Sequence, residues 1–274
     1  MILRALCLLL LVASCGRPVV VPGTTVVSTL EAPEIGETYR ITVHLPPEHA
    51  TDEGRRFAVV YQLDPSFAGL AQLDRTVVAA ARLERLSALP PVIVVGVGYD
   101  YEDARVVKRG RWRDYSFPVA DPEPLTAALY GYGGDAFYRF IRDTLVPRID
   151  ADYRTDPAAP RTIVGHSLGG LFVLYALTRG DGVFGRFVAA SPTFNFENGA
   201  IFAETDAAPA LRGRLFLGIG ALEGLPPNGY FDAYAERLAR HSGVALATER
   251  FAGADHLDTI TPSVEHGLAW VLAE

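Results

Sequence analysis

The sequence predicts an α/β fold in which helices cover both faces of a mostly parallel sheet. Short apolar runs alternate with amphipathic stretches of helical periodicity along most of the chain. Phe57–Leu63 and Val92–Val97 are nearly continuous apolar runs rich in valine, which is typical of strands buried on both faces. The repeated alternation of strand and helix favours βαβ units.

The remaining elements follow from the same periodicities. Strands are predicted at Tyr39–Leu45, Phe57–Leu63, Val92–Val97, Thr162–Val164, Phe187–Ala190, Leu215–Ile219 and Ala245–Phe251. Helices are predicted at Leu70–Leu89, Asp135–Ile149, Ser167–Arg179, Phe231–Arg240 and Pro262–Leu272. Between Gly98 and Gly134 the alternation stops in a stretch rich in aromatic, arginine and proline residues. Because so long a loop is usually functional or disordered, and aromatic content argues against disorder, we expect a wall of a substrate pocket.

Residues 1–14 are predicted to form a signal peptide. Their apolar run from Ala5 to Val12 is too short to span a bilayer but has the size of a signal-peptide core. Small residues before Cys15 resemble the lipobox of bacterial lipoproteins, in which that cysteine carries the lipid; a plain secretory signal is the alternative. Residues 15–30 are predicted to be a tether, and residues 31–274 one catalytic domain.

The lipobox predicts an exported, periplasmic protein that a lipid holds at the membrane. Arg17 and the lack of aspartate at position 16 favour the outer membrane. The only cysteines are Cys7, inside the predicted signal peptide, and Cys15. The mature domain therefore has no thiol nucleophile and no zinc–thiolate site. The net charge of −7 is spread along the chain without a basic patch, which argues against nucleic acid as a partner.

Gly165-His166-Ser167-Leu168-Gly169 has the G-x-S-x-G pattern of a nucleophile elbow. The pattern alone is weak, but here a predicted strand precedes it and a predicted helix follows. Such a turn exposes the serine hydroxyl above the sheet, and the helix amides face developing negative charge. Ser167 is therefore the predicted nucleophile; the alternative is a tight turn with an incidental serine.

A serine hydroxyl needs a base, and the base needs a third group to orient it. Three histidines follow Ser167 in the chain: His241, His256 and His266. His256 lies in a loop of small residues between a predicted strand and the last helix, where parallel sheets present functional groups. His256 is therefore the predicted base. His241 and His266 are interpreted as surface or packing residues, and His166 as a structural neighbour.

The acid that orients the base is expected after the strand Leu215–Ile219. Glu223 follows the end of that strand directly and is the favoured candidate. Asp232 is a second candidate that can instead cap a helix. The aspartates flanking His256, Asp255 and Asp258, and a dyad without a strong acid, remain open alternatives.

The tetrahedral intermediate of such chemistry needs two amide donors. The amide of Leu168, directly after the nucleophile, is the first predicted donor. The second is expected in the loop Asp64–Phe67, where Pro65 has no N–H and Ser66 is the better candidate; a plain turn is the alternative.

Four segments in this order resemble the putative-esterase (esterase D-like) family of α/β-hydrolases, and among its members the enterobactin and salmochelin esterases. They are Tyr61–Asp64, Leu145–Arg154, Gly165–Gly170 and Gly253–His256. The resemblance implies an α/β-hydrolase fold and ester hydrolysis through an acyl-serine, without metal or organic cofactor. The substrate is expected to be a small-molecule ester, and the arginine and aromatic residues of the predicted pocket wall favour a siderophore or an aromatic ester.

The arginine-rich stretch Arg111–Pro118 is similar to a segment near the pocket of siderophore esterases, which makes Arg113 a candidate substrate contact. One departure is Asp64-Pro65, where relatives commonly have Asp-Gly. An acyltransferase with the same triad and a non-catalytic binding module on this fold are the alternatives to a hydrolase.

Overall fold

The computed structural model describes residues 23–65, 89–100, 103–122, 124, 127–128 and 131–273. Within these ranges eight strands form one sheet in the order β1-β2-β4-β3-β5-β6-β7-β8. The strands are β1 Thr24–Ala32, β2 Glu37–Leu45, β3 Ala58–Leu63, β4 Val92–Tyr99, β5 Thr162–His166, β6 Arg186–Ala190, β7 Gly213–Gly220 and β8 Val244–Phe251. β1, β2 and β4 pair antiparallel, and β4, β3, β5, β6, β7 and β8 pair parallel. The predicted mostly parallel sheet is confirmed.

The described helices connect these strands. They are α1 Glu48–Thr51, α2 Ala104–Tyr115, α3 Gly134–Arg139, α4 Val146–Asp152, α5 Leu168–Arg179, α6 Ala200–Ala207, α7 Pro227–Leu238 and α8 Ile260–Leu272. A π-helical segment, Phe140–Leu145, joins α3 to α4. The helix predicted at Asp135–Ile149 is therefore present, as are those at the positions of α5, α7 and α8. The helix predicted at Leu70–Leu89 lies outside the described residues, apart from Leu89.

Two hydrophobic clusters lie on opposite faces of the sheet. The larger cluster contains nearly all of α5, because that helix is apolar on every side and is buried from Leu168 to Thr178. The smaller cluster packs α8, through Leu268, Val271 and Leu272, against alternate residues of the central strands. Alternate side chains of a strand point to opposite faces, which is why continuous valine runs supply both clusters. The predicted coverage of both faces is confirmed.

The tether predicted for residues 15–30 is wrong in its second half, because Thr24–Ala32 forms strand β1. All nine residues pair with β2, from Thr24 opposite Leu45 to Ala32 opposite Glu37. β1 is an edge strand, and most of its side chains are exposed. Threonine and valine favour extended backbone here even though little is buried, so the strand has the polar composition of a tether.

The loop predicted between Gly98 and Gly134 is also partly wrong, because α2 occupies Ala104–Tyr115. Asp103 caps this helix by accepting the amide of Arg105 at 2.8 Å. The buried positions of α2 include Arg111 and Asp114, whose charges are paired within the protein. A search for apolar periodicity does not detect a helix whose buried side is charged.

No helix within the described ranges has both the length and the apolar character needed to cross a membrane. The predicted signal peptide and the lipid site at Cys15 lie outside the described residues. The periplasmic lipid anchor therefore stays a prediction.

Candidate active site

The predicted site residues come together at one edge of the sheet. β5, β6, β7 and β8 run parallel, so their carboxyl ends meet at the same edge. Ser167 follows β5, Glu223 ends a 3-10 turn directly after β7, and His256 lies in the loop after β8. Residues separated by up to 89 positions in the chain thus become neighbours.

The turn at Ser167 is strained in the manner of a nucleophile elbow. Its φ of 59° and ψ of −120° lie in a region that side chains other than glycine rarely adopt. The neighbouring Gly165 is required by close approach, because a Cβ there would lie 2.3 Å from the carbonyl oxygen of Gly169. Three backbone hydrogen bonds hold this conformation: the Ser167 amide donates to the Ala190 carbonyl, and the amides of Leu171 and Thr193 donate to the Ser167 carbonyl.

Ser167, His256 and Glu223 form one chain of hydrogen bonds. His256 Nε2 lies 3.0 Å from Ser167 Oγ, and His256 Nδ1 lies 2.8 Å from Glu223 Oε2. The side chain of His256 is 45% exposed, whereas that of Glu223 is 6% exposed. The imidazole is therefore open to substrate and water on one side, and it is anchored to a buried carboxylate on the other.

Burial alone would raise the pKa of Glu223, but hydrogen bonds from His256, from Ser191 and from the Gly220 amide outweigh it and lower the pKa below its ordinary value. The carboxylate is therefore ionised at neutral pH, as an acceptor for the Nδ1–H of His256 must be.

The rival acids are engaged elsewhere. Asp232 lies on α7, where its Oδ1 accepts a 2.8 Å bond from Arg250 at the exposed surface. Asp255 accepts the amides of Leu257 and Asp258 and so holds the turn that carries His256.

His266 and His166 lie away from the position of the base. His266 Nδ1 is 2.8 Å from Glu249 Oε2 on the surface. His166 packs its ring 4.6 Å from that of His256 and places Nε2 2.7 Å from the His256 carbonyl oxygen. It is a structural neighbour, as predicted.

The predicted oxyanion donors are only partly described. Leu168 is the first residue of α5, where backbone amides have no partner within the helix. Ser66 lies outside the described residues. Asp64 just before it has a φ of 52° and is 5% exposed. Arg111 holds Asp64 with Nε at 2.8 Å and Nη2 at 2.8 Å, a buried pair that the sequence did not predict and that fixes the start of this loop.

Arg113, the predicted substrate contact, is held by two carboxylates. Its Nε lies 2.6 Å from Asp114 Oδ1 and its Nη1 lies 2.5 Å from Glu37 Oε1. Asp114 is completely buried and also accepts the hydroxyls of Tyr39 and Tyr99. The observed contacts of Arg113 are thus with the protein, and its contact with substrate stays a prediction.

Replacing Arg113 by glutamine distinguishes a structural role, as the partner of Asp114 and Glu37, from a role in substrate binding. We expect Arg113→Gln to lower the free energy of unfolding by about 2–3 kcal/mol, because it leaves the buried Asp114 without its cation. We expect the KM for a small ester to stay within about twofold of the parent value, because the contacts that the variant loses are within the protein. Chemical denaturation and steady-state kinetics measure the two quantities. A large rise in KM with unchanged stability would instead establish the substrate contact.

Three hydroxyl residues near the triad were not predicted. Ser191 Oγ donates to Glu223 Oε1, and Thr259 Oγ1 donates to the carbonyl oxygen of His256. Thr193 Oγ1 lies 3.4 Å from Ser167 Oγ. Ser191 and Thr193 follow the predicted strand Phe187–Ala190, so their position at the carboxyl edge is the signal that would have found them. In the part of the chain that the structure describes, no group of three or more histidine, cysteine or acidic residues has the arrangement of a metal site.

Comparison with known proteins assigns the family. The model of the family described as "Putative esterase" matches residues 32–248. The chain belongs to this esterase family. It is similar to the ferri-bacillibactin esterase BesA of Bacillus subtilis (strain 168), with 30% identity over 92% of this chain and 90% of that protein. It is also similar to the siderophore triacetylfusarinine C esterase of Aspergillus fumigatus, with 28% identity over 64% of this chain and 69% of that protein.

Solved structures support the fold of this esterase. The siderophore hydrolase EstA from Aspergillus nidulans superposes with a TM-score of 0.78 at 21% identity, covering 94% of this chain and 96% of that chain. The BES protein from Bacillus cereus superposes with a TM-score of 0.76 at 23% identity, covering 95% and 99%. The predicted α/β-hydrolase fold is confirmed, and the chain is a carboxylic ester hydrolase.

Proposed function

We propose that this esterase acts through an acyl-serine intermediate, with Ser167 as nucleophile, His256 as general base and Glu223 as the group that orients His256. The observation that carries the proposal is the unbroken hydrogen-bond chain, 3.0 Å from Ser167 to His256 and 2.8 Å from His256 to Glu223. Both distances lie within the reach that proton transfer and its orientation require.

In the first half of the reaction, Ser167 Oγ attacks the ester carbonyl carbon and its proton passes to His256 Nε2. The tetrahedral intermediate carries its negative charge on the former carbonyl oxygen, facing the amide of Leu168. The intermediate collapses as the bond to the alcohol oxygen breaks, and the alcohol leaves with the proton from His256. Water then attacks the acyl-serine with His256 again as base, which releases the carboxylic acid and restores Ser167.

The second oxyanion donor is proposed to be the amide of Ser66. Support comes from its neighbour Asp64, which Arg111 clamps at the carboxyl end of β3, beside β5 and the elbow. A Cβ on Gly169, in the first turn of α5, would lie 3.5 Å from Asp64 Oδ2. The start of the loop therefore lies against the elbow, within the region where a second amide is needed.

The proposed substrate is the ester of an iron-binding siderophore. Two similar proteins carry siderophore esterase names, ferri-bacillibactin and triacetylfusarinine C being the compounds in those names. Arg105, Lys108 and Arg109 are exposed on α2. A cavity of about 460 Å³ lies at this helix, lined among others by the exposed Arg109 and by Arg113, whose charge is paired with Glu37 in the same lining. Cations at a cavity near the carboxyl edge suit an anionic, oxygen-rich ligand.

Hydrolysis of siderophore esters compared with simple esters tests both parts of the proposal. We expect ferric bacillibactin or triacetylfusarinine C to be cleaved with a kcat/KM at least about tenfold above that of p-nitrophenyl acetate, because remote contacts contribute to transition-state binding. Product chromatography and absorbance measure the rates. Rapid turnover of p-nitrophenyl esters alone would refute the siderophore substrate. No turnover of any ester, with no labelling of Ser167 by a fluorophosphonate, would refute the catalytic assignment.

A further inference from the structure

Ser191 lies behind the acid of the triad in a strained conformation. It follows β6 with a φ of 41°, and it is 1% exposed. A non-glycine residue in this region costs free energy and is retained where the surrounding structure requires its position. Its Oγ lies 2.6 Å from Glu223 Oε1 and 2.8 Å from Thr259 Oγ1. The side chain thus links the acid to a second buried hydroxyl.

Thr259 continues this link to the histidine loop. It is the residue before α8, where a threonine hydroxyl ordinarily caps the helix, yet it makes no side-chain cap bond. Its Oγ1 instead lies 2.9 Å from the carbonyl oxygen of His256. The hydroxyl is thus oriented toward the triad, where it connects Ser191 with the backbone of His256.

The number of protons determines the direction of these bonds. The carboxylate of Glu223 only accepts, so the single proton of Ser191 goes to Oε1. The contact between the two hydroxyls then needs the proton of Thr259. The same proton also faces the carbonyl oxygen of His256, which lies 2.9 Å from Thr259 Oγ1, and that oxygen accepts from Nε2 of His166 at 2.7 Å as well. Ser191 thus donates to Glu223, the proton of Thr259 lies between Ser191 Oγ and the carbonyl oxygen of His256, and His166 donates to the same carbonyl.

The two carboxylate oxygens of Glu223 have different hydrogen-bond partners. Oε1 accepts from Ser191 and, at 2.9 Å, from the Gly220 amide, whereas Oε2 faces His256 Nδ1. We propose that Ser191, supported by Thr259 and His166, is a positioning residue that holds Oε2 of Glu223 in line with His256. The inference rests on the proposed function of the triad. Without the Ser191 hydroxyl, Oε1 keeps one donor and the carboxylate can rotate about its last bond.

The hydrogen bond from Ser191 to Glu223 also determines how much negative charge faces His256. A donor on Oε1 draws charge away from Oε2, so its loss concentrates charge opposite the imidazole and favours protonated His256. Among the described residues, the other ionisable groups near the imidazole are Asp255, Asp258 and His166. All three remain in the variant. Because protonated His256 cannot accept the proton of Ser167, the acid limb of the kcat/KM profile moves to higher pH in Ser191→Ala.

The test compares Ser191→Ala, Thr259→Val and Thr259→Ser in the full chain, with a p-nitrophenyl ester as substrate. We expect Ser191→Ala to lower kcat roughly tenfold or more with KM within about twofold, and to shift the acid limb upward. Thr259→Val should show a smaller loss in kcat, and Thr259→Ser, which keeps the hydroxyl, should recover most of it. Thr205→Val is the matched control, because it removes a buried threonine hydroxyl that bonds Tyr234 instead. It should leave the acid limb in place.

A folded Ser191→Ala enzyme with parental kcat and an unmoved acid limb would overturn the positioning role while the triad stands. Inactivity of the parent itself, with no fluorophosphonate label on Ser167, would instead refute the proposed function. Where Ser191→Ala fails to fold, the two Thr259 variants decide: equal kcat in Thr259→Val and Thr259→Ser overturns the inference, and recovery by serine supports it.

Discussion

Ser167→Ala is expected to lower kcat/KM for every ester substrate by about 10⁵- to 10⁶-fold. Alanine keeps the Cβ and the backbone of the elbow, and it removes the oxygen that attacks the carbonyl. Residual turnover would come from the oxyanion donors and substrate binding alone. Stopped-flow and long-time-course assays with a p-nitrophenyl ester measure the parent and the variant on one scale.

The control for Ser167→Ala is Ser28→Ala, a serine exposed on β1. It should leave kcat/KM unchanged, and both variants should melt near the parental temperature. A fluorophosphonate should label the parent and Ser28→Ala, and it should leave Ser167→Ala unlabelled. Activity of Ser167→Ala within about a hundredfold of the parent would contradict the nucleophile assignment, since a lost nucleophile costs far more.

Glu223→Gln is expected to lower kcat by about 10³- to 10⁴-fold with little change in KM. The Gly220 amide donates to the position of Oε1, so the glutamine oxygen must lie there and its NH2 group must face His256. His256 Nδ1 would then have to accept, which leaves the proton on Nε2. In that tautomer the imidazole cannot take the proton of Ser167.

The matched control for Glu223→Gln is Asp232→Asn, which removes the charge of the other candidate acid. Asp232 pairs with Arg250 at the surface, so this variant should keep parental kcat. Steady-state kinetics at neutral pH separate the two. A Glu223→Gln enzyme that keeps a tenth or more of its kcat, or an Asp232→Asn enzyme that loses it, would reassign the acid.

Much of the fold could be predicted because its core strands are buried on both faces. Valine runs such as Val92–Val97 and the all-apolar helix α5 have no other stable location than the interior. Two parts were mispredicted for the opposite reason. β1 exposes most of its side chains, and α2 buries Arg111 and Asp114, so neither has an apolar pattern that matches its structure.

The triad, too, was predicted in part from local sequence patterns and decided in part by the tertiary structure. The sequence by itself determined the nucleophile and base candidates, because G-x-S-x-G between a strand and a helix, and a histidine in the loop after the last strand, are local patterns. It favoured Glu223 as the acid but left Asp232, the aspartates flanking His256 and a dyad without a strong acid open. Only the tertiary structure brings Glu223 to 2.8 Å from His256 and pairs Asp232 with Arg250.

Only the tertiary structure decided which buried polar groups contact and orient the residues of the site. Arg111 lies 47 residues from Asp64, and Thr259 lies 68 residues from Ser191. A local pattern reports burial and periodicity within one element, whereas a buried ion pair or hydroxyl chain exists only where several elements meet. The sheet, the elbow and the candidate base are therefore determined locally, and the groups that orient them are determined by how the strands and helices pack together.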